Sequence, residues 1–507
     1  MKISVEIFKN SIWNLILFAS YGLTGVFTSI LIARYLGPEM MGEYSFIIWL
    51  IGIMVVFVGI GFPNTITKFI SEFIGSKDEE SAQAIYAKLI QVQFAAALLI
   101  TLILIGIFYP SLSPIKKDYY LIAFLSLTPL CMSTFITSAF HGVQNFKITS
   151  MVGSVVNLLQ LILVIVFILL NMGLKGLLAV PLISSIIHVL LLGKYSTFGI
   201  TSPFKIPKEY RSKIIKYTLR LYWIVILSVI VWQKLEVFFL KIYSTSEEIA
   251  FYSIALNITM VMIGFTGLFS TVIFPVFSSY WGAGDGEGVK NIYNKSIKVI
   301  VIFYLPICII VIAASKPIVS LMYSSDYLAV SPLLIILMVS SLFFALGVLL
   351  ANLIQALNRA EIIVKYVTLL AAINIIFDLI LIPKYGAVGA AIANSSVRIM
   401  VLPFWIWIIK KQLGFSFPAR DVFICVLPNI PLAIILCFIG NRYPNLLGIF
   451  LVVFIALLMY PLLLFAFRTI TSDDIRTARE ASTILPAPYE KMIGTIFDRI
   501  PIKQEVP

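Results

Sequence analysis

Charged residues are scarce in this sequence of 507 residues. Aspartate, glutamate, lysine and arginine together make up 12% of it, whereas about 25% is usual in a soluble globular domain. Hydrophobic residues make up 60%, so too few polar side chains remain to cover a soluble protein of this length. The composition therefore excludes a soluble enzyme and a disordered chain. It predicts a polytopic membrane protein whose outer surface faces lipid.

Residues that bind metals or act as nucleophiles are also few. The four cysteines lie far apart inside apolar runs, and there are only two histidines (Cys131, Cys308, Cys425, Cys437; His141, His188). The absence of a CxxC pair or another close pair of ligands argues against metal and redox sites. We therefore expect no metal site, no catalytic residues and no bound cofactor.

Apolar runs long enough to cross a bilayer follow one another almost end to end. A helix needs ~20 mostly apolar residues to cross ~30 Å of hydrocarbon, and backbone groups in lipid must bond internally. The runs predict about fourteen membrane helices. They lie near residues 11–35, 43–67, 85–109, 119–141, 148–171, 174–196, 217–242, 249–278, 296–315, 328–356, 362–383, 386–409, 421–440 and 445–467.

Lysine and arginine are distributed unevenly over the connections between these runs. If the N-terminus is cytoplasmic, most of the 37 basic residues lie in connections on the cytoplasmic side, above all between residues 205 and 220. The positive-inside rule then predicts a multi-pass protein of the cell membrane (inner or plasma), with both termini in the cytoplasm. The net charge of +13 is thereby explained by topology, so no nucleic-acid partner is expected.

Three short patterns from the first half of the chain return in the same order about 210 residues later. They are Ile85-Tyr86-x-Lys88 and Ile292-Tyr293-x-Lys295, Glu39 with Tyr44-Ser45 and Glu247 with Tyr252-Ser253, and Gly173-x-x-Gly176 and Gly386-x-x-Gly389. Ordered matches at nearly constant spacing predict two six-helix lobes related by a parallel pseudo-twofold axis, a layout typical of transporters.

The repeat sets the expected domain organisation. We predict an N-terminal lobe (1–200), a cytoplasmic linker (201–216), a C-terminal lobe (217–412), two extra helices (413–468) and a cytoplasmic tail (469–507) with an amphipathic helix. A substrate would bind between the lobes near mid-membrane, and access would alternate as the lobes rock.

Three motifs resemble those of polysaccharide-biosynthesis flippases, members of the multidrug/oligosaccharidyl-lipid/polysaccharide exporter superfamily. They are Ala33-Arg34-Tyr35-Leu36-Gly37-Pro38-Glu39 with Gly42-Glu43-Tyr44, Gly59-x-Gly61-Phe62-Pro63-Asn64 with Lys68-Phe69-Ile70, and Ile382-Pro383-Lys384-Tyr385-Gly386-Ala387-Val388-Gly389. The resemblance covers essentially the whole chain and implies a flippase for lipid-linked oligosaccharide with twelve core helices, here plus two. Many relatives have an aspartate in the seventh span, where this chain has Lys234-Leu235-Glu236.

Ionisable groups inside the spans are the natural candidates for a transport site, because a charge at mid-membrane costs about 2.5–3.5 kcal/mol on insertion scales. The candidates of the second half are Lys234, Glu236, Asp378 and Arg398, and those of the first half are Arg34 and Lys68, with the polar Asn64 and Asn14. We expect the four cations to hold a diphosphate, and the asparagines to hydrogen-bond sugars. Glu236 and Asp378 are candidates for binding H⁺ or Na⁺ and coupling transport to an ion gradient.

A structural alternative exists for each of these groups. Lys234 or Arg398 could pair with Glu236 or Asp378 and so hold helices together. Arg34 lies at a span end, where it could snorkel to the interface. Lys68 lies near the cytoplasmic end of span two, where a role in substrate entry and a role in topology are both open.

The sequence thus favours a non-enzymatic flippase that moves polyprenyl-diphosphate-linked oligosaccharide from the cytoplasmic to the outer leaflet. The alternative is a multidrug/cation antiporter of the same superfamily. A membrane glycan polymerase or glycosyltransferase fits poorly, because no connection is long enough to fold as a catalytic domain. The expected partners are the lipid-linked glycan, membrane lipids and glycan-assembly enzymes.

Overall fold

The structure is a computed structural model that describes residues 2–232, 235–357 and 360–469. Every regular element within these ranges is a helix, and none of their residues forms a strand, which confirms the prediction of an all-α membrane protein. Lys234 and the amphipathic helix expected in the tail lie outside the described residues.

The described ranges contain sixteen α-helices and one short 3-10 helix. In chain order they are α1 (Lys2–Gly59), α2 (Phe62–Gly75), α3 (Glu79–Ser111), α4 (Pro114–Gly142), α5 (Phe146–Leu169), α6 (Gly173–Tyr195), α7 (Lys208–Trp232), α8 (Glu236–Tyr243), α9 (Ser246–Gly282), α10 (Gly286–Ala313), α11 (Ser315–Met322), the 3-10 turn Ser325–Tyr327, α12 (Val330–Ala356), α13 (Ala360–Leu413), α14 (Ala419–Val426), α15 (Asn429–Arg442) and α16 (Leu446–Ala466).

Eleven helical segments of the described chain are long and apolar enough to cross a membrane. Two of these segments, Ala19–Gly59 in α1 and Glu361–Leu413 in α13, are about twice the necessary length and bend at one glycine. Each of the two is long enough for two crossings, as the sequence predicts for these regions. The total of about fourteen spans and their grouping into two six-helix lobes stay predictions.

The bends form where glycine takes a backbone conformation that other residues avoid. Gly37 has φ 73° and ψ 171°, and Pro38, which lacks an N–H to bond, restarts the helix. Gly386 has φ 53°, and the restarted helix is capped by Glu248 of α9, whose Oε2 accepts a hydrogen bond from the Ala387 N–H at 2.9 Å. An acceptor at this place satisfies a free helix N–H. We call the end of the bundle with these two bends the kink face.

The opposite end, which we call the linker face, carries the segment between α6 and α7. Gln83 of α3 holds this segment through its side-chain amide, which donates to Gly199 O at 2.8 Å and to Thr201 O at 3.1 Å and accepts from Gly199 N at 3.1 Å. The ring of Phe198 stacks on Tyr86 at 5.1 Å. The linker is therefore anchored on the first half of the chain. The charge distribution predicts that the linker face is cytoplasmic.

The chain passes from one apolar core to another between α7 and α8. Ile214 of α7 belongs to a buried cluster formed by helices of the first half, whereas Val237 and Leu240 of α8 belong to the large cluster formed mainly by α8–α14, to which α1, α5 and α6 also contribute. A third cluster joins α15 and α16 to α10 and α11. The residue that begins α8 is Glu236, so a charged side chain stands where the chain enters the second core.

Close packing of α1 against the start of α9 generates a test of the fold. A Cβ at Gly42 would lie 1.6 Å from Ser246 O, whereas one at Gly52, also in α1, would have no neighbour within 4 Å. Gly42→Ala should therefore lower the free energy of unfolding by about 1–3 kcal/mol, as overpacking does. Gly52→Ala should leave it unchanged or raise it by about 0.5–1 kcal/mol through helix propensity. Unfolding of the two variants in detergent measures the difference, and equal stability would contradict the packing.

Candidate functional site

Helix α13 folds back at Gly386 into a hairpin. The two arms of this hairpin carry four polar side chains at similar depths in the bundle. Asn374 and Asp378 lie four residues apart before the bend at Gly386, and Asn394 and Arg398 lie four residues apart after it, so each pair occupies one helix face. At 1.5 Å per residue the inner members lie about 12 Å from the bend and the outer members about 18 Å. This depth is near the middle of ~30 Å of hydrocarbon.

Glu236 of α8 meets this hairpin. Its Oε1 accepts a hydrogen bond from Asn394 Nδ2 at 2.7 Å, and Asn374 Nδ2 lies 3.5 Å from the same oxygen. Glu236 is 1% exposed and Asp378 is 0% exposed. Two amides from both arms of the hairpin thus hold a carboxylate in the protein interior, where a hydrogen-bonded charge is far cheaper than a bare one.

Several oxygens of this cluster have no hydrogen-bond partner among the described residues. They are Asp378 Oδ1, Asp378 Oδ2, Asn374 Oδ1 and Asn394 Oδ1, whereas the hydroxyl of Tyr252 lies beside the carboxylate of Glu236. Buried polar atoms in native proteins normally have partners, and those that do not require an explanation. Carboxylate and carbonyl oxygens are the ligands that hard cations take. The donor set therefore fits a cation. We call these five side chains, together with Arg398, the α13 cluster.

Arg398 is also buried, at 2% exposure, with its guanidinium 5.5 Å from the ring centroid of Phe344. Its Nη1 has no hydrogen-bond partner, and no described carboxylate lies within the 4.0 Å of an ion pair. Arg398 therefore forms no ion pair with a described carboxylate in this conformation. The structural alternative for this residue predicted such a pair. Arg398 lies one helical turn after Asn394, whose amide is bonded to Glu236.

Arg34 lies on the kink face, where the two halves of the chain meet. Its Nε donates to Met322 O at 2.8 Å, and its Nη2 donates to Leu321 O. Nearby, the Tyr327 hydroxyl donates to Ala33 O at 2.8 Å. The guanidinium is therefore bonded to carbonyls at the end of α11. Its role in the cavity stays a prediction.

An ion cluster closes the same face. Glu43 of α1 is 2.7 Å from Lys241 of α8 and 3.0 Å from Lys116 of α4, measured between carboxylate oxygens and ammonium nitrogens. The Glu43 side chain is only 8% exposed. One carboxylate thus joins lysines from both halves, and the kink face is closed in this structure.

Lys68 lies on the linker face, at the contact of α2 with α7. Its ammonium is 3.9 Å from the ring centroid of Tyr217, and no ion pair of Lys68 occurs in the described part of the chain. Neighbouring Lys213 pairs with Glu72, whose carboxylate raises the pKa of that ammonium. Lys68 is therefore a cation without an acidic partner among the described residues.

The other sequence candidates are dispersed. Asn64 is exposed on α2, Asn14 belongs to α1, and Lys234 lies outside the described residues. None of the three can be assigned to the α13 cluster, so their roles in substrate binding stay predictions.

Three members of the α13 cluster are not among the candidates predicted from the sequence. Asn374, Asn394 and Tyr252 are uncharged, so a search for intramembrane charges passes over them. The i, i+4 spacing of Asn374 with Asp378 and of Asn394 with Arg398 was the available signal. The kink-face pair Glu43 and Lys241 was also missed, because both residues lie near span ends, where charges are ordinary.

A helical bundle with membrane-crossing segments, buried charges near mid-depth and a closed face between its halves defines a class, the polytopic membrane transporters. The chain belongs to the polysaccharide biosynthesis protein family, whose model matches residues 7–281, more than half of its length. The MatE family model matches residues 223–380. Both matches agree with the predicted superfamily.

Relatives and solved structures agree with this assignment. The chain is 23% identical over 415 residues to a protein from Shigella flexneri named as an O-antigen transporter, covering 78% of this chain and 96% of that protein. It is 24% identical over 161 residues to Agl15 from Haloferax volcanii, named as a low-salt glycan biosynthesis flippase. That alignment covers 32% of this chain and only 34% of Agl15.

The lipid II flippase MurJ, in an inward closed conformation, has the same fold. Its TM-score is 0.74 at 19% sequence identity, and the match covers 90% of this chain and 98% of MurJ. The predicted family and fold are confirmed by these comparisons, and the relatives are named as a flippase and a transporter, not as enzymes.

The bond between Asn394 and Glu236 can be tested through stability. Asn394→Ala removes the 2.7 Å hydrogen bond from a buried carboxylate, so the free energy of unfolding should fall by about 1.5–3 kcal/mol. The exposed Asn64 is the matched control, and Asn64→Ala should change stability by less than about 0.5 kcal/mol.

A double-mutant cycle with Glu236→Gln isolates the pairwise contribution. The effects of Asn394→Ala and Glu236→Gln should be clearly non-additive, as measured by unfolding in detergent. Additive effects would show that the two side chains do not depend on each other.

Proposed function

We propose that the protein is a flippase that moves polyprenyl-diphosphate-linked oligosaccharide from the cytoplasmic to the outer leaflet by alternating access. Family membership and the names of the relatives support this assignment. The observation that carries the substrate class is Lys68, a cation on the linker face, whereas Arg34 lies at the opposite end of the bundle. Lys68 has no described carboxylate partner, and Arg34 is bonded to carbonyls only. A diphosphate needs such cations to leave the lipid surface.

The closed kink face fits one state of an alternating-access cycle. The contacts that join the halves there are an ion cluster and hydrogen bonds from Arg34 and Tyr327. Polar contacts of this kind can exchange partners with water when the halves separate. We propose that the kink face is the outer side and that this state receives substrate from the cytoplasmic side, with both termini in the cytoplasm.

Coupling to an ion gradient is the second part of the proposal. Asp378 carries two of the free oxygens of the α13 cluster, and Glu236 and Asp378 would bind the coupling ion, Na⁺ or H⁺, at mid-membrane. One charge moved through 100 mV is worth about 2.3 kcal/mol, enough to bias a transporter between two states. The ion is cargo here, and the proposal involves no bound cofactor.

A multidrug/cation antiporter is the second candidate function, because the MatE model matches residues 223–380. A cationic drug needs acidic groups within reach of the cavity. The side chains of Glu236 and Asp378 are instead only 0–1% exposed, so a cationic drug could not reach them. Their burial therefore favours an anionic substrate. Glycan-assembly enzymes remain proposed partners of the flippase.

Transport in proteoliposomes separates the two candidates. The purified chain is reconstituted with a fluorescent polyprenyl-diphosphate oligosaccharide, and its transfer between leaflets is followed by quenching with a membrane-impermeant reductant. We expect transfer that depends on the protein, with no efflux of a small cationic dye. Dye efflux without glycolipid transfer would overturn the proposal in favour of the antiporter.

Replacing Lys68 tests whether its positive charge binds the diphosphate of the substrate. Lys68→Ala should lower the initial rate of glycolipid transfer by about tenfold or more, because a charge-assisted contact with the diphosphate is lost. Lys88 on α3 is exposed, so Lys88→Ala is the matched control for charge and should transfer at the wild-type rate. Equal rates in both variants would remove Lys68 from the substrate path.

A further inference from the structure

Between α1 and α2 the chain leaves the helical conformation at two residues, which we call the α2 break. They are Ile60, with φ 47°, and Gly61, with φ 74°, so both lie in the left-handed region. Glycine adopts this region readily, whereas a β-branched isoleucine there is strained. Such strain persists only where the surrounding structure holds it in place. The neighbours of the α2 break therefore show what keeps it.

Gln93 of α3 supplies the first constraint on the α2 break. In a continuous helix the carbonyl of Val58 would accept a hydrogen bond from the N–H of Phe62, four residues later. Gln93 Nε2 donates to this carbonyl at 3.2 Å, and both Gln93 and Val58 are at most 1% exposed. A buried carbonyl without a partner is costly, so the glutamine amide stabilises the broken backbone. A straight helix would have to displace this amide.

Helix α7 supplies the second constraint, because α2 runs antiparallel along it. The pairs in contact are Thr65 with Thr218 (3.0 Å between hydroxyl oxygens), Phe69 with Tyr217 (5.7 Å between ring centroids) and Phe73 with Tyr210 (4.9 Å between ring centroids). A Cβ at Gly61 would lie only 3.1 Å from Thr218 O, so the α2 break itself packs closely on α7. Lys68 belongs to the same contact through the ring of Tyr217. The direction that α2 takes after the break therefore decides where Lys68 lies.

We propose that Gln93 is a positioning residue for transport, which occupies the Val58 carbonyl, holds α2 in its bent direction along α7 and so places Lys68 for the diphosphate. Gln93 does not touch the substrate and acts through Lys68. This inference rests on the proposed function. Without the amide, the N–H of Phe62 takes the Val58 carbonyl, the strain at Ile60 is relieved, and α2 leaves α7.

Glycolipid transfer in proteoliposomes tests whether Gln93 acts through Lys68. Gln93→Met keeps the length of the side chain and removes the donor, so the initial rate should fall by about fivefold, as expected for one lost hydrogen bond. In the Lys68→Ala background the same change should lower the rate by less than about twofold, because the two residues act as one unit. Gln160→Met removes an amide that donates to Ser184 Oγ at 2.9 Å, and this control should transfer at the wild-type rate. A wild-type rate in Gln93→Met, or a full fivefold loss in both backgrounds, would overturn the proposal.

A distance measurement tests the bend without transport. Nitroxide labels are attached at Ser76→Cys and Ser212→Cys, both exposed near the adjacent ends of α2 and α7. The native thiols are buried except that of Cys437, which is replaced by serine. Spin–spin distances should show one population in the otherwise unchanged chain and a second, longer one in Gln93→Met. Adding Ile60→Gly to Gln93→Met should restore the short distance, because glycine adopts the left-handed region without strain. Ile60→Ala, which keeps that strain, should not.

Unfolding keeps the test decisive if Gln93→Met does not fold. In the otherwise wild-type chain Ile60→Gly should melt at a higher temperature than Ile60→Ala, since the two variants differ only in the cost of the left-handed backbone. Equal melting temperatures, or one unchanged distance in Gln93→Met, would overturn the role of the α2 break. If the wild type transfers no glycolipid, the proposed function fails, whereas the distances still judge the bend by themselves.

Discussion

The structure of the second half depends on how a carboxylate is kept in the middle of an apolar bundle. The Asn394 amide donates to Glu236 at 2.7 Å, and this bond joins α8 to the second arm of the α13 hairpin. The bend at Gly386 makes this possible, because it brings Asn374 and Asn394 from the two arms of the hairpin to the same oxygen of Glu236. Glu236 is also the first residue of α8, where the chain enters the second core.

The same bond relates the site to the rest of the molecule. α8 begins with Glu236 in the α13 cluster and carries Lys241 near its other end, where Lys241 pairs with Glu43 of α1. One short helix thus connects the buried carboxylate with the ion cluster that closes the kink face. An ion bound at Glu236 and an opening of that face would act on a single rigid element, a physical basis for coupling ion binding to alternating access.

Much of the fold could be predicted from the sequence, because long apolar runs have one outcome in lipid. The predicted spans end and restart near Gly37 and Gly386, and Glu236, Asp378 and Arg398 were visible as intramembrane charges. Asn374, Asn394 and Tyr252 were not, since neutral polar residues are common in membrane helices. Only the hairpin shows which of them face a carboxylate. The closed kink face was also beyond the sequence, because contacts such as that of Arg34 with Met322 O depend on one conformation.

The central claim is that the α13 cluster carries the ion whose movement accompanies glycolipid transfer. The most direct measurement is the uptake of radioactive Na⁺ into proteoliposomes with and without polyprenyl-diphosphate oligosaccharide. We predict a glycolipid-dependent flux of Na⁺, or of H⁺ measured with a pH dye inside the vesicles, that is lost in Glu236→Gln. Glycolipid transfer at full rate with neither Na⁺ flux nor H⁺ flux in the wild type would contradict this proposal.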